Sequence, residues 1–200
     1  MGKPIELTEK NLETARELLL RAVRVLDEAG IPYHLEGGTL LGLVRDGDLL
    51  PWDHDVDISV MAEDLPRLLA CRPRLSGWKW IVRTRKGFVS NHPAVAKAPV
   101  RLVKVKDRVA LFFSGRMCLD IFVKVEHEGS VYWEAKDRLM RVDARYYRSF
   151  EEVEYRGHRL KVPNAYRDYL TEKYGDWSVP VKEWDCAVDE RTLVDPSKER

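Results

Sequence analysis

Three aspartates at alternate positions carry the clearest chemistry in this chain. The segment Trp52-Asp53-His54-Asp55-Val56-Asp57-Ile58-Ser59-Val60 runs from a turn into a strand-like alternation. Residues two apart on a strand point to the same face, so the carboxylates of Asp55 and Asp57 must lie close together. Like charges at that range are costly unless something neutralises them. A hard divalent cation does so, and Mg²⁺ characteristically takes few carboxylates together with phosphate oxygens and water. The same alternation sends His54 to the opposite face and leaves Asp53 as a supporting residue. A third carboxylate, Asp120, interrupts the apolar run Met117-Cys118-Leu119-Asp120-Ile121-Phe122-Val123. A buried charge normally needs a partner or a metal. Upstream, Gly37-Gly38 would let the backbone approach a phosphate, and free N–H groups at a helix start favour anions. The plainer alternatives are a solvated strand face for Asp55 and Asp57, an edge position for Asp120 and an ordinary tight turn for the glycines.

The elements that must position these residues are legible in outline. Thr8 reads as an N-cap, and Leu12, Ala15, Leu18, Leu19, Ala22, Val23 and Leu26 recur at helical spacing up to a stop at Gly30. A short extended run, Tyr33–Glu36, precedes the glycines, and a short helix is expected from Thr39 to Arg45. After the Asp46-Gly47-Asp48 turn come the aspartate strand and a helix over Glu63–Cys71 with Pro66 in its first turn. Strand patterns follow at Trp78–Arg83, Val100–Lys106, Val109–Phe113 and Met117–Val125, with Gly115 as a break between the last two. A hairpin is expected around Tyr155–Leu160, then a helix capped by Asn164 and stopped by Gly175. Tyr166, Tyr174 and Trp177 read as core more than as a substrate platform. Helices at both ends with strands between imply α+β (mixed α/β) architecture with one central sheet. The expected organisation is a single domain over 1–200, ordered over about 8–180, with a loose tail from about 189.

Composition narrows the partners. With 34 basic and 33 acidic residues the net charge is +1, which provides no general pull toward nucleic acid. Two local basic clusters, Arg83-Thr84-Arg85-Lys86 and Lys104-Val105-Lys106, read as solvated faces or as local phosphate sites. Cys71, Cys118 and Cys186 are odd in number and lack a C-x-x-C pair, against a disulfide framework or structural zinc. No stretch approaches a membrane span, and the first residues have no signal-peptide core, so a cytoplasmic location is expected.

The stretch from Tyr33 through Glu36-Gly37-Gly38-Thr39-Leu40-Leu41-Gly42-Leu43-Val44-Arg45, continued by Pro51-Trp52-Asp53-His54-Asp55-Val56-Asp57, resembles the LicD family. That family includes bacterial phosphocholine transferases and is related to fukutin and fukutin-related protein. Pro163-Asn164-Ala165-Tyr166-Arg167-Asp168-Tyr169-Leu170 with Tyr174-Gly175-Asp176-Trp177 resembles its closing motif. The resemblance implies a nucleotidyltransferase-type fold, a central mixed sheet flanked by helices. It implies transfer of a phospho-alcohol, such as phosphocholine or ribitol phosphate, from a CDP-linked donor to a glycan hydroxyl, with release of CMP. By the same resemblance Asp55, Asp57 and Asp120 would hold Mg²⁺ (Mn²⁺ as an alternative). Asp120 would serve as ligand or base, and Gly37, Gly38, Thr39 and Arg45 would face the phosphates. Two other readings stand beside it: a nucleotidyltransferase moving NMP from an NTP to a small hydroxylated molecule, and a non-catalytic binding module on the same fold.

Overall fold

A computed structural model describes residues 6–108 and 114–195. Helix α1 (Glu9–Glu28) ends at Ala29, and Gly30 turns the chain with a φ of +64°. Its buried stripe includes Ala15, Leu18, Leu19, Ala22 and Leu26, the apolar period read from the sequence. The two-residue strand β1 (His34–Leu35) leads straight into α2 (Gly37–Arg45). That helix begins two residues earlier than expected, because Glu36 caps it and both glycines join its first turn. The aspartate strand is β2 (Val56–Met61). In place of one helix over Glu63–Cys71 there is a 3-10 turn at Ala62–Asp64, then α3 (Leu65–Ala70) and α4 (Arg72–Leu75).

The next strands are β3 (Trp80–Lys86), β4 (Val100–Arg108) and β5 (Ser114–His127). The expected strand over Val109–Phe113 lies outside the described residues. Gly115 falls inside β5, not at a break. The Asp107 carboxylate occupies the place a Cβ would need there, 2.1 Å away. A hairpin absent from the sequence reading follows, β6 (Ser130–Ala135) and β7 (Arg138–Asp143). Its turn is Lys136-Asp137, both at positive φ with no glycine to signal it. Strands β8 (Phe150–Tyr155) and β9 (His158–Pro163) form the expected hairpin through Arg156-Gly157, and α5 (Tyr166–Tyr174) follows. Asn164 does not cap α5; Ala165 does, at a φ of +49°.

The main sheet runs β1-β2-β5-β4-β3, with β6 and β7 added beside the far end of β5. β2 and β5 are parallel and the other pairs antiparallel, so the sheet is mixed. Val56, Ile58 and Val60 on β2, Leu119, Ile121 and Val123 on β5, and Val103 and Val105 on β4 are buried core residues. Alternation sends Asp57, Asp120 and Lys104 to the other face. At the deep end that face is covered by Trp133, Tyr147 and Tyr169 around Lys124. Glu190 is buried against Lys173 and Leu193 bridges to Met140, so the chain is strapped back onto β7.

Candidate active site

Parallel pairing sets the site. The register Val56↔Leu119 and Asp57↔Asp120 places the latter two aspartates side by side on neighbouring strands. Asp55, one residue before β2, reaches the same point. Carboxylate oxygens of Asp55, Asp57 and Asp120 all lie within 4.8 Å of one another. The charges press on each other as electrostatics requires. Burial, then Asp120 and Asp53, pushes the Asp55 carboxyl up to about 7. Burial and the neighbouring Asp55 and Asp120 raise Asp57 well above the carboxylate range. Asp53 is also raised by burial, against a hydrogen bond it accepts from the His54 N–H. Three hard oxygen donors strained by mutual repulsion suit Mg²⁺ or Mn²⁺.

Asp120 differs from the other two. It accepts from Lys104 Nζ at 2.5 Å and from Cys118 Sγ at 2.8 Å. The buried charge thus already has a cationic partner, the structural explanation that an apolar strand had seemed to leave out. Burial lowers Lys104, but Asp120, Cys118 and Asp55 together outweigh it and raise its pKa. The Cys118 thiol is pushed up by burial, then by Asp120.

The start of α2 closes one side. The Asp57 N–H donates to Thr39 Oγ1 at 2.9 Å, and the Glu36 N–H donates to the Asp57 carbonyl at 3.0 Å. A Cβ on Gly37 would stand 2.7 Å from Asp57 Oδ2, and one on Gly38 2.0 Å from Asp53 Oδ2. The glycines are therefore required by the carboxylates that pack on them. Thr39, expected to face phosphates, is buried and spends its oxygen on the Asp57 backbone. Arg45 is not brought to the aspartates either. It sits at the opposite end of α2, forks onto Asp46 at 2.8 Å and lies over Trp52. His54, two residues before β2 begins, is exposed.

The sequence reading missed a buried ionic layer behind the glycines. Glu36 is 1% exposed, accepts from its neighbour Gly37 N–H at 3.0 Å and pairs with both Lys124 and Lys173. Tyr169 Oη donates to it at 2.9 Å. Burial pushes the Glu36 carboxyl up, but Lys124 and Lys173 outweigh it and hold it well below the usual range. Lys124 is lowered by burial to about 8 despite Glu36, and its ammonium rests 3.8 Å from the Trp133 ring centre. One signal for this layer existed. Lys124 interrupts the same apolar strand as Asp120 and shares its parity.

A family model described as LicD/FKTN/FKRP, nucleotidyltransferase domain, matches residues 30–165. "Ribitol 5-phosphate transferase FKRP" of Homo sapiens is 42% identical over 78 residues, 39% of this chain and 15% of that protein. "Ribitol-5-phosphate transferase FKTN" of Homo sapiens is 26% identical over 183 residues, 86% of this chain and 35% of that protein. The chain therefore spans a minor part of the length of these relatives. Among solved structures, ANT(2'')-Ia in complex with adenylyl-2''-tobramycin is similar with a TM-score of 0.47 at 17% identity, over 86% of this chain and 82% of that one. The family match covers more than half of the chain and encloses the glycines and all the aspartates of the site, so the chain belongs to the LicD/FKTN/FKRP family of nucleotidyltransferase domains.

Proposed function

We propose that this chain transfers a phospho-alcohol from a CDP-linked donor to a hydroxyl group of a glycan and releases CMP. The observation that carries the reading is the cluster of Asp55, Asp57 and Asp120 beside the Gly37-Gly38 helix start, inside the stretch matched by the family. The names of the FKRP and FKTN relatives support the phospho-alcohol as cargo.

Phosphoryl transfer demands positioning and charge neutralisation more than covalent chemistry from the protein. Asp55, Asp57 and Asp120 would hold Mg²⁺, which supplies Lewis-acid stabilisation of charge on the phosphate oxygens. Thr39 and Glu36 fix the backbone of Asp57 through hydrogen bonds, so its carboxylate is aimed before substrate arrives. Gly37 and Gly38 leave room for the Asp57 and Asp53 carboxylates against the α2 start, beside which donor phosphates would bind. Asp120, with Lys104 on one oxygen, would orient the attacking hydroxyl and receive its proton.

The test is product identity. The chain incubated with Mg²⁺ and CDP-ribitol, CDP-choline or CDP-glycerol should release CMP, and Asp57→Ala should abolish release. Pyrophosphate from CTP or ATP in place of CMP would overturn the reading in favour of nucleotidyl transfer. Absence of both products and of metal binding would point to a binding module.

A further inference from the structure

The strap formed by residues 190–194 lies beyond the stretch matched by the family. Backbone bonds fasten it. The Arg191 N–H donates to the Lys173 carbonyl at 3.1 Å, the Arg141 N–H to the Thr192 carbonyl at 2.8 Å and the Val194 N–H to the Leu139 carbonyl at 2.9 Å. Leu193 adds the bridge to Met140. None of these bonds uses the Glu190 side chain, yet that side chain is only 2% exposed. A strap so fastened does not need a buried carboxylate, and burying one is costly unless its partners repay the desolvation. Glu190 Oε1 meets Lys173 Nζ at 2.9 Å and accepts from Thr192 Oγ1 at 2.5 Å.

From Lys173 the contacts lead to the aspartates. The same Nζ lies 2.9 Å from Glu36 Oε1, so one ammonium is held between two carboxylates. Glu36 Oε1 accepts from the Gly37 N–H at 3.0 Å, and the Glu36 N–H donates to the Asp57 carbonyl at 3.0 Å. Gly37 and Gly38 in turn pack under the carboxylates of Asp57 and Asp53. In this layer Glu36 and Glu190 balance Lys124 and Lys173, and all four are buried. Without the Glu190 charge the layer carries one positive charge in excess. One ammonium must then move toward water or give up its proton, and either change withdraws a bond from Glu36.

We propose that Glu190 is a positioning residue for the metal site: acting from the strap through Lys173 and Glu36, it holds the α2 start against Asp57 and Asp53. This rests on the reading of Asp55, Asp57 and Asp120 as Mg²⁺ ligands in phospho-alcohol transfer. Glu190 acts only through other residues, by keeping the Asp57 backbone and the glycines beneath its carboxylate in one register. Carboxylates that repel one another need such a fixed base, because metal–ligand distances tolerate only about 0.2 Å.

The full chain tests it with Glu190→Gln, Glu190→Asp, Thr192→Val and the control Leu193→Ala, which loosens the same strap outside the ionic layer. Two readouts are set beside the melting temperature: amide hydrogen exchange at Gly37 and Asp57 without metal, and Mn²⁺ affinity by titration calorimetry. Glu190→Gln should speed exchange at both amides and weaken Mn²⁺ binding, each about tenfold, the scale of one lost bond to a charged group. Glu190→Asp should recover part of that loss, and Thr192→Val should lose about threefold in the same direction. Leu193→Ala should lower the melting temperature and leave both readouts at the wild-type level. In CMP release from CDP-ribitol, Glu190→Gln should lower kcat more than it raises KM. Exchange and Mn²⁺ affinity unchanged in Glu190→Gln overturn the proposal. Where that variant does not fold, unchanged readouts in both Glu190→Asp and Thr192→Val overturn it. Equal weakening by Leu193→Ala also overturns it, by making Glu190 one more fastening of the strap. Exchange is read without metal or donor and so stands apart from the transfer reading. Faster exchange and weaker Mn²⁺ binding in Glu190→Gln, with no CMP release by the wild-type chain, would sustain the hold and strike the transfer reading instead. CMP release by the wild-type chain with both readouts unchanged in Glu190→Gln would strike this inference alone.

Discussion

Substituting Gly37 by alanine perturbs the site without touching a charge. Gly37 has a φ of +55°, and an L side chain there costs about 1 kcal/mol of stability. The added methyl would also lie 2.7 Å from Asp57 Oδ2, and ordinary contact begins at 3.4 Å. Relief therefore displaces the Asp57 carboxylate by about 0.7 Å. Metal–ligand distances tolerate only about 0.2 Å, and sub-ångström misplacement of catalytic groups costs roughly 10- to 100-fold in rate. Gly47 supplies the control. Its φ is +73°, yet nothing lies within 4 Å of a Cβ built there. Gly47→Ala should lose about the same 1 kcal/mol in urea unfolding and keep wild-type Mn²⁺ affinity and CMP release. Gly37→Ala should lose stability similarly but drop Mn²⁺ affinity and turnover by at least tenfold. If the two variants prove alike in stability, Mn²⁺ affinity and turnover, the close packing of Gly37 on Asp57 has no functional weight.

Asp55 should make metal-free stability fall with rising pH. Its folded pKa, about 7, exceeds the unfolded value, so its contribution is full below about pH 4 and is lost as pH rises toward 7. In metal-free urea titrations Asp55→Asn should flatten this decline and remove the stabilisation conferred by Mg²⁺; an unchanged pH profile counts against the assignment. Asp120→Asn should keep its melting temperature within a few degrees, since Lys104 is partly solvated, and lose turnover; full activity would remove Asp120 from the mechanism. Glu36→Gln leaves Lys124 and Lys173 buried beside a neutral amide and should cost about 3–5 kcal/mol in urea unfolding. A loss below about 1 kcal/mol would show that this layer is held by Glu190 and the aromatic rings instead.

The local sequence carried α1, the aspartate strand and the Gly157 hairpin, because each rests on short-range periodicity or a turn residue. It did not carry the β6–β7 hairpin. Lys136 and Asp137 adopt positive φ although neither advertises it, and pairing with β5 and β7 imposes the turn. The attachment of residues 190–193 was hidden for a related reason. Glu190 sits in a polar stretch, and its partner Lys173 lies on α5. Arg45 shows what a motif leaves open: its fork onto Asp46 and its place over Trp52 are set by the fold.

Strand parity put the carboxylates of Asp55 and Asp57 on one side from the residues alone, and the apolar run around it marked Asp120 as a charge out of place. Period-2 geometry needs no knowledge of neighbours. Which strand lies beside which, and in what register, depends on chain closure over many residues. Tertiary pairing set Asp57 against Asp120, Asp120 against Lys104 and Lys104 against Arg83, and it seated Gly37 and Gly38 under two carboxylates. Three aspartates scattered over 66 positions are brought together through that register.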